Sequence, residues 1–170
     1  MTLPSADAST AIAAGGGRLR SYRDCFIVDA PVALVADFHA RSSSMAAITP
    51  PGIVVQVHQA PPVLQSGDEM RFTLRLAGLL PIPWVARIAD QGPEGFTDSQ
   101  VEGPFAMWRH EHRFLPLGPD RTVVVDWVQA RLRRDWLHAT LGLAMWLGMP
   151  LLFAYRAWRT RRLLGRETRR

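Results

Sequence analysis

Apolar and polar residues alternate along the middle of the chain and take helical spacing near its two ends. Runs rich in β-formers predict strands at "LRSYRDCFIVDA" (19–30), "IVVQVHQ" (53–59), "DEMRFTLRLAG" (68–78), "WVARIAD" (84–90), "GFTDSQVEG" (95–103), "FAMWRHEHRFLP" (105–116) and "RTVVVDWVQARLR" (121–133). Turn residues separate them at Gly67-Asp68, Pro81, Gly92-Pro93, Gly103-Pro104 and Gly118-Pro119-Asp120. "LLPIP" (79–83) reads as a turn that leads into "WVARIAD". Short turns make sequence neighbours antiparallel. After the first strand, Pro31 opens a helix with Val32, Val35, Ala36 and Phe38 on one face. "RSSSMAAI" adds a short second helix, stopped by "TPPG". From Trp136 the chain reads as one long apolar helix with a kink at Pro150. Its expected inner stripe is Leu137, Leu141, Met145, Gly148 and Leu152, leaving Trp146, Met149 and Phe153 to face elsewhere.

That order suits an α+β domain of two short helices, about six to seven antiparallel strands and one long C-terminal helix. The expected organisation is a disordered tail over residues 1–18, the domain over 19–164 and a basic tail over 165–170. The charge sharpens this division. All 20 basic residues are Arg. From Arg156 onward seven Arg face one Glu, while the preceding 155 residues are close to neutral. The basic end suits anionic head groups or plain solubility. The absence of Lys excludes Schiff-base and P-loop chemistry. A single cysteine, Cys25, excludes an internal disulfide and a paired-cysteine zinc site; it reads as a small buried hydrophobe on the first strand. The N-terminal residues lack the basic start of a secretory signal, so a cytoplasmic place is expected, peripheral to the inner membrane face if the last helix rests there. No aromatic-basic stripe argues for nucleic acid.

"WRHEHRF" alternates cleanly. Trp108, His110, His112 and Phe114 share one face, and Arg109, Glu111 and Arg113 share the other. The apolar companions place both imidazoles on the inward face. Three readings compete. Two His at i and i+2 can ligate a metal, with Asp98 or Asp126 as third ligand; no third His or Cys supports it, so neither metal nor cofactor is expected. One His can act as general acid or base, which makes His110, His112 and Asp126 the catalytic candidates. Or both are satisfied by Asp98, Gln100 or Asp126 and orient a polar ligand group. Asp126, between Val124 and Val128, needs a partner if buried; His110, His112, Arg71 and Arg75 are candidates.

The same segments resemble the START/Bet v 1-like superfamily, also called SRPBCC or polyketide cyclase-like proteins. "FHA" (38–40), "ITPPG" (48–52), "GFTDSQVEGPFAMWRHEHRF" (95–114) and "FAYR" (153–156) are similar to an uncharacterised bacterial ligand-binding branch of it. The resemblance implies a helix-grip fold with a cavity between the sheet and the last helix. In this superfamily such cavities hold lipids, sterols, polyketides or hormones, and in a few members they run cyclisation or dehydration. The implied ligand contacts are Phe72, Leu74, Asp98, Gln100, Phe105, Trp108, His110, His112, Phe114 and Met145. The implied partner is a hydrophobic or amphipathic small molecule. The last helix departs from the family pattern in being apolar over residues 136–155, long enough to cross a bilayer. Leaving the sheet for a membrane would uncover the concave face, so a closing helix is expected, with a twin subunit, a membrane surface or the N-terminal tail against its other side.

Overall fold

The computed structural model describes residues 17–167. Strand β1 (Arg20–Val28) leads into helix α1 (Val32–Ala40) and the short α2 (Ser44–Ala47). Six strands follow: β2 (Ile53–Gln59), β3 (Glu69–Leu76), β4 (Leu80–Gly92), β5 (Gly95–Glu102), β6 (Phe105–Pro116) and β7 (Thr122–Leu132). Helices α3 (Trp136–Leu147) and α4 (Met149–Glu167) end it. The strands form one open, curved antiparallel sheet in the order β1-β7-β6-β5-β4-β3-β2. The α+β helix-grip arrangement expected from the sequence is therefore the observed one.

Alternation decides which side of each strand is buried. Phe26 and Val28 of β1, Met70 and Phe72 of β3, Phe114 of β6 and Val124, Val128 and Ala130 of β7 all turn into the core. Cys25 lies one residue out of phase with Phe26 and is exposed, not buried as expected. Phe105 would point outward by parity with Trp108. A register shift between Phe105 and Met107 turns it inward, where it is 1% exposed.

One expected turn is strand. Residues 80–83 of "LLPIP" belong to β4, with Pro81 opposite Arg75 and Pro83 opposite Thr73. Proline is tolerated there because β5 reaches along β4 only as far as Val85, so both prolines sit where β4 is an edge. The reversal lies just before, at Ala77 (φ 50°) and Gly78 (φ 70°), where the Leu79 N–H donates to the Leu76 carbonyl at 3.0 Å. Two successive positive φ values suit the right-handed twist of the hairpin.

The long helix is broken at Gly148, where α3 and α4 meet at 45°. Pro150 falls in the first turn of α4, where its missing N–H leaves no bond unmade. Asp135 caps α3 by accepting from the His138 N–H at 3.0 Å. Met145 and Leu152 of the expected inner stripe line the cavity, but the buried face is rotated from that stripe. Gly142, Met149, Phe153, Ala157, Thr160 and Leu164 are buried, whereas Leu137 is 60% exposed. Gly142 is one reason: a Cβ there would lie 3.0 Å from Leu132 Cδ2 and 3.4 Å from a Phe105 ring carbon, so glycine lets α3 approach the sheet on that face. The opposite face carries Trp136, Leu137, Leu147, Leu151 and Trp158 into the open. No single helix among the described residues is long and apolar enough to cross a membrane; α3 and α4 pass only as a bent pair.

The tails expected over 1–18 and 165–170 fall largely outside the described residues. Part of the basic end belongs to the fold. The Arg159 Nε donates to the Ala47 carbonyl at 3.2 Å, and the Arg161 Nε to the Ile27 carbonyl at 2.9 Å. These bonds tie α4 to α2 and β1.

Phe114 is fully buried between sheet and α1 while Leu151 is 78% exposed. Phe114→Ala is expected to lower unfolding free energy by about 3–5 kcal/mol, and Leu151→Ala to change it by less than about 0.5 kcal/mol. Urea denaturation followed by circular dichroism checks both.

Candidate functional site

Three adjacent strands bring four titratable side chains to the concave floor. β5 and β6 pair Asp98 with His110, and Phe96 with His112; β6 and β7 pair His112 with Asp126. Residues directly opposite on one face stand within side-chain reach. The register therefore collects two carboxylates and two imidazoles. Gly95 helps hold it: its φ is 139°, and a Cβ there would meet the His112 carbonyl oxygen at 1.9 Å. Any side chain at Gly95 would push β5 off β6 beside the site.

The His110 ring lies between the carboxylates. Its Nε2 is 3.0 Å from Asp126 Oδ1, and its Nδ1 is 3.2 Å from Asp98 Oδ2. His112 repeats the pattern with nitrogens exchanged: Nε2 is 3.4 Å from Asp98 Oδ2, and Nδ1 is 2.9 Å from Asp126 Oδ1. The latter approach lacks hydrogen-bond geometry, which leaves Nδ1 of a buried ring without a hydrogen-bond partner. Phe96 stacks on His112 at 4.2 Å between centroids, and Phe153 of α4 meets His110 edge-on at 5.5 Å. These contacts fix both rings.

Burial alone would raise the carboxylate pKa values and lower that of His110. The mutual charges and hydrogen bonds overcome it. Asp98 and Asp126 are held well below the usual carboxylate range by the two histidines. His110 is pushed up to about 9 by the Asp98 charge and by its bonds to both carboxylates. It therefore carries a proton at neutral pH. Asp24, opposite Asp126 on β1, is raised by burial and by that neighbouring charge.

Above the floor lies a cavity of about 170 Å³. Phe72, Leu74, Trp84, Trp108, Met145 and Met149 supply much of its apolar wall. Asp98, His110 and His112 line it, together with His39 of α1 and Arg156 of α4. Three residues expected as ligand contacts sit outside the lining. Phe105 and Phe114 are in the core. Gln100 clamps the turn after β5: its Nε2 donates to the Phe105 carbonyl at 2.8 Å, and its Oε1 accepts from the Phe105 N–H at 3.2 Å. Asp126 lies behind the histidines; Arg71 and Arg75 are on β3, separated from Asp126 on β7 by β4, β5 and β6.

His39 and Arg156 were not among the expected site residues. His39 sits in "FHA", and its i–4 bond to the Val35 carbonyl, 2.9 Å from Nδ1, turns Nε2 away from its own helix. Burial, with His112 beside it, lowers its pKa to about 4. Arg156 reads in sequence as the first residue of a basic tail. In the fold its guanidinium lies 5.3 Å from the Phe153 centroid, and its Nε is buried without a hydrogen-bond partner. Burial depresses its pKa, and Asp126 and Asp98 partly offset that.

No family model matches the chain, and no curated protein matches its sequence. Solved structures do match its shape. The Zhui aromatase/cyclase from Streptomyces sp. R1128 superposes with a TM-score of 0.72 at 19% identity, over 89% of this chain and 96% of that one. The fold is the START/Bet v 1-like helix-grip fold. Norcoclaurine synthase from Thalictrum flavum, solved with dopamine and hydroxybenzaldehyde, shares this helix-grip fold at a TM-score of 0.65 and 12% identity, covering 98% and 96%. A protein from Thermus thermophilus, TTHA0849, does so at 0.59 and 17%, covering 83% and 97%. At these identities the likeness is one of helix-grip fold.

The His39 shift fixes a pH dependence. Its folded pKa, about 4, lies below the ordinary value of 6.5, so the unfolded chain binds the proton more readily. Its contribution is complete above about pH 6.5 and is lost as pH falls toward 4. His39→Gln is expected to remove about 1–3 kcal/mol of the stability change between these pH values. Denaturant midpoints at pH 7 and pH 4.5 check it; an unchanged difference would contradict the assignment.

Proposed function

We propose that the protein binds an amphipathic small molecule between its curved sheet and α4. The apolar body lies against Phe72, Trp84, Trp108 and Met149, and an acidic or strongly polarised oxygen lies on Arg156. Arg156, which lines the cavity and whose buried Nε has no hydrogen-bond partner, carries this reading. A buried donor without a partner costs free energy that a ligand oxygen recovers. The fold supports it, since norcoclaurine synthase is seen with aromatic molecules bound. The exposed face bearing Trp136, Leu147 and Leu151 gives such a carrier a surface with which to rest on a membrane.

A second reading makes the same cavity catalytic, with His110 as proton donor to a bound carbonyl and His112 or Asp126 assisting. The proton that His110 holds at the cavity floor favours it, as does the likeness to an aromatase/cyclase. In that case His110→Gln abolishes conversion of a co-purified ligand while leaving the ligand bound.

The binding reading is tested with two fluorescent probes of similar shape, anionic 1-anilinonaphthalene-8-sulfonate and uncharged N-phenyl-1-naphthylamine. Wild type is expected to bind both. Arg156→Gln should weaken the anionic probe at least about tenfold, or 1.4 kcal/mol, and the uncharged probe much less. Equal effects on both would show that Arg156 does not read the polar end.

A further inference from the structure

We propose that Asp98, His110 and His112 form a binding site for a divalent transition metal ion of the zinc class, open to the cavity. The proposal is independent of the ligand reading, because it concerns the ion alone.

The geometry carries it. Asp98 Oδ2 lies 3.2 Å from His110 Nδ1 and 3.4 Å from His112 Nε2. Ligand atoms placed about 2.0–2.1 Å from zinc in a tetrahedron stand about 3.3 Å apart. Both distances match that edge, and one ligand atom from each of the three residues lies within 4.8 Å of the others. Two imidazoles and a carboxylate suit zinc, cobalt or iron better than magnesium or calcium, which prefer oxygen alone.

The surroundings fit as well. Asp98, His110 and His112 line the cavity, and Asp126 does not. Asp126 stands behind both rings: it takes the His110 Nε2 proton at 3.0 Å and approaches His112 Nδ1 at 2.9 Å. A metal-bound histidine commonly gives its other nitrogen's proton to such a carboxylate, which fixes ring orientation and raises ligand basicity. Phe96 and Phe153 pack on the rings and hold them in place. A metal ion at His110 Nδ1 displaces the proton held there, and its charge takes the place of the imidazolium beside Asp98 and Asp126. Three protein ligands leave the fourth position facing the cavity, free for water or a ligand oxygen.

The test uses the full chain, freed of metal by chelator and dialysis, titrated with cobalt(II) and then displaced by zinc at fixed pH. The expected result is one equivalent bound with a Kd of about 10 µM or tighter, and visible bands of four- or five-coordinate cobalt that zinc abolishes. Asp98→Asn and His112→Gln should each weaken uptake at least about tenfold, and Asp126→Asn by about 10–100-fold. Circular dichroism checks that each is folded. The double variant His58→Gln/His138→Gln, which alters only histidines on β2 and α3 away from the floor, should bind like wild type. No saturable uptake, cobalt with only weak six-coordinate absorption, or loss of binding in the His58/His138 variant each overturns the site. The wild-type spectrum decides the matter even if a floor variant fails to fold.

Discussion

His110 held between Asp98 and Asp126 is the contact around which the concave floor is organised. Two carboxylates beneath an apolar cavity would be costly by themselves, since burial opposes their ionised form. The His110 proton makes them tolerable, and they in turn hold that proton on the ring. The group spans β5, β6 and β7, so it also cross-links the centre of the sheet. Removing one member leaves charge without compensation, a change that in buried pairs costs about 3–5 kcal/mol.

The cavity above follows from the same arrangement. Apolar walls strengthen every charge interaction at the floor. Arg156 lines the cavity from α4, its charge partly balanced by Asp126 and Asp98. Neutral His39 adds no charge to a space that already holds several. The cavity thus has an apolar wall, a charged floor and the Arg156 cation in its lining, an environment suited to a molecule that is mostly apolar with one polarised end.

Much of this was legible in the sequence. Period-two alternation put Trp108, His110 and His112 on the concave face, and glycine- and proline-bearing turns delimited most strands. Asp126 stood out because it lies between Val124 and Val128, and Asp98 as a partner for the two histidines. What the sequence hid has physical causes. Pro81 and Pro83 resemble turn residues, and only the short reach of β5 makes their strand positions permissible. Phe105 changes side through a bulge that alternation does not reveal. The inner face of α3 and α4 depended on Gly142 and on the 45° bend at Gly148, neither visible in apolar spacing that runs nearly all round the helix. Arg156 looked like the start of a charged tail because its burial is set by tertiary packing alone.

The charge bridge at the floor is tested most directly by nitrogen-15 NMR of the histidine side chains in metal-free protein at pH 7.5. Two protons on the His110 ring are expected, giving two imidazolium-type nitrogen shifts, beside a neutral His39 with its proton on Nδ1. A neutral His110 at that pH would contradict the bridge on which the floor of the cavity is built.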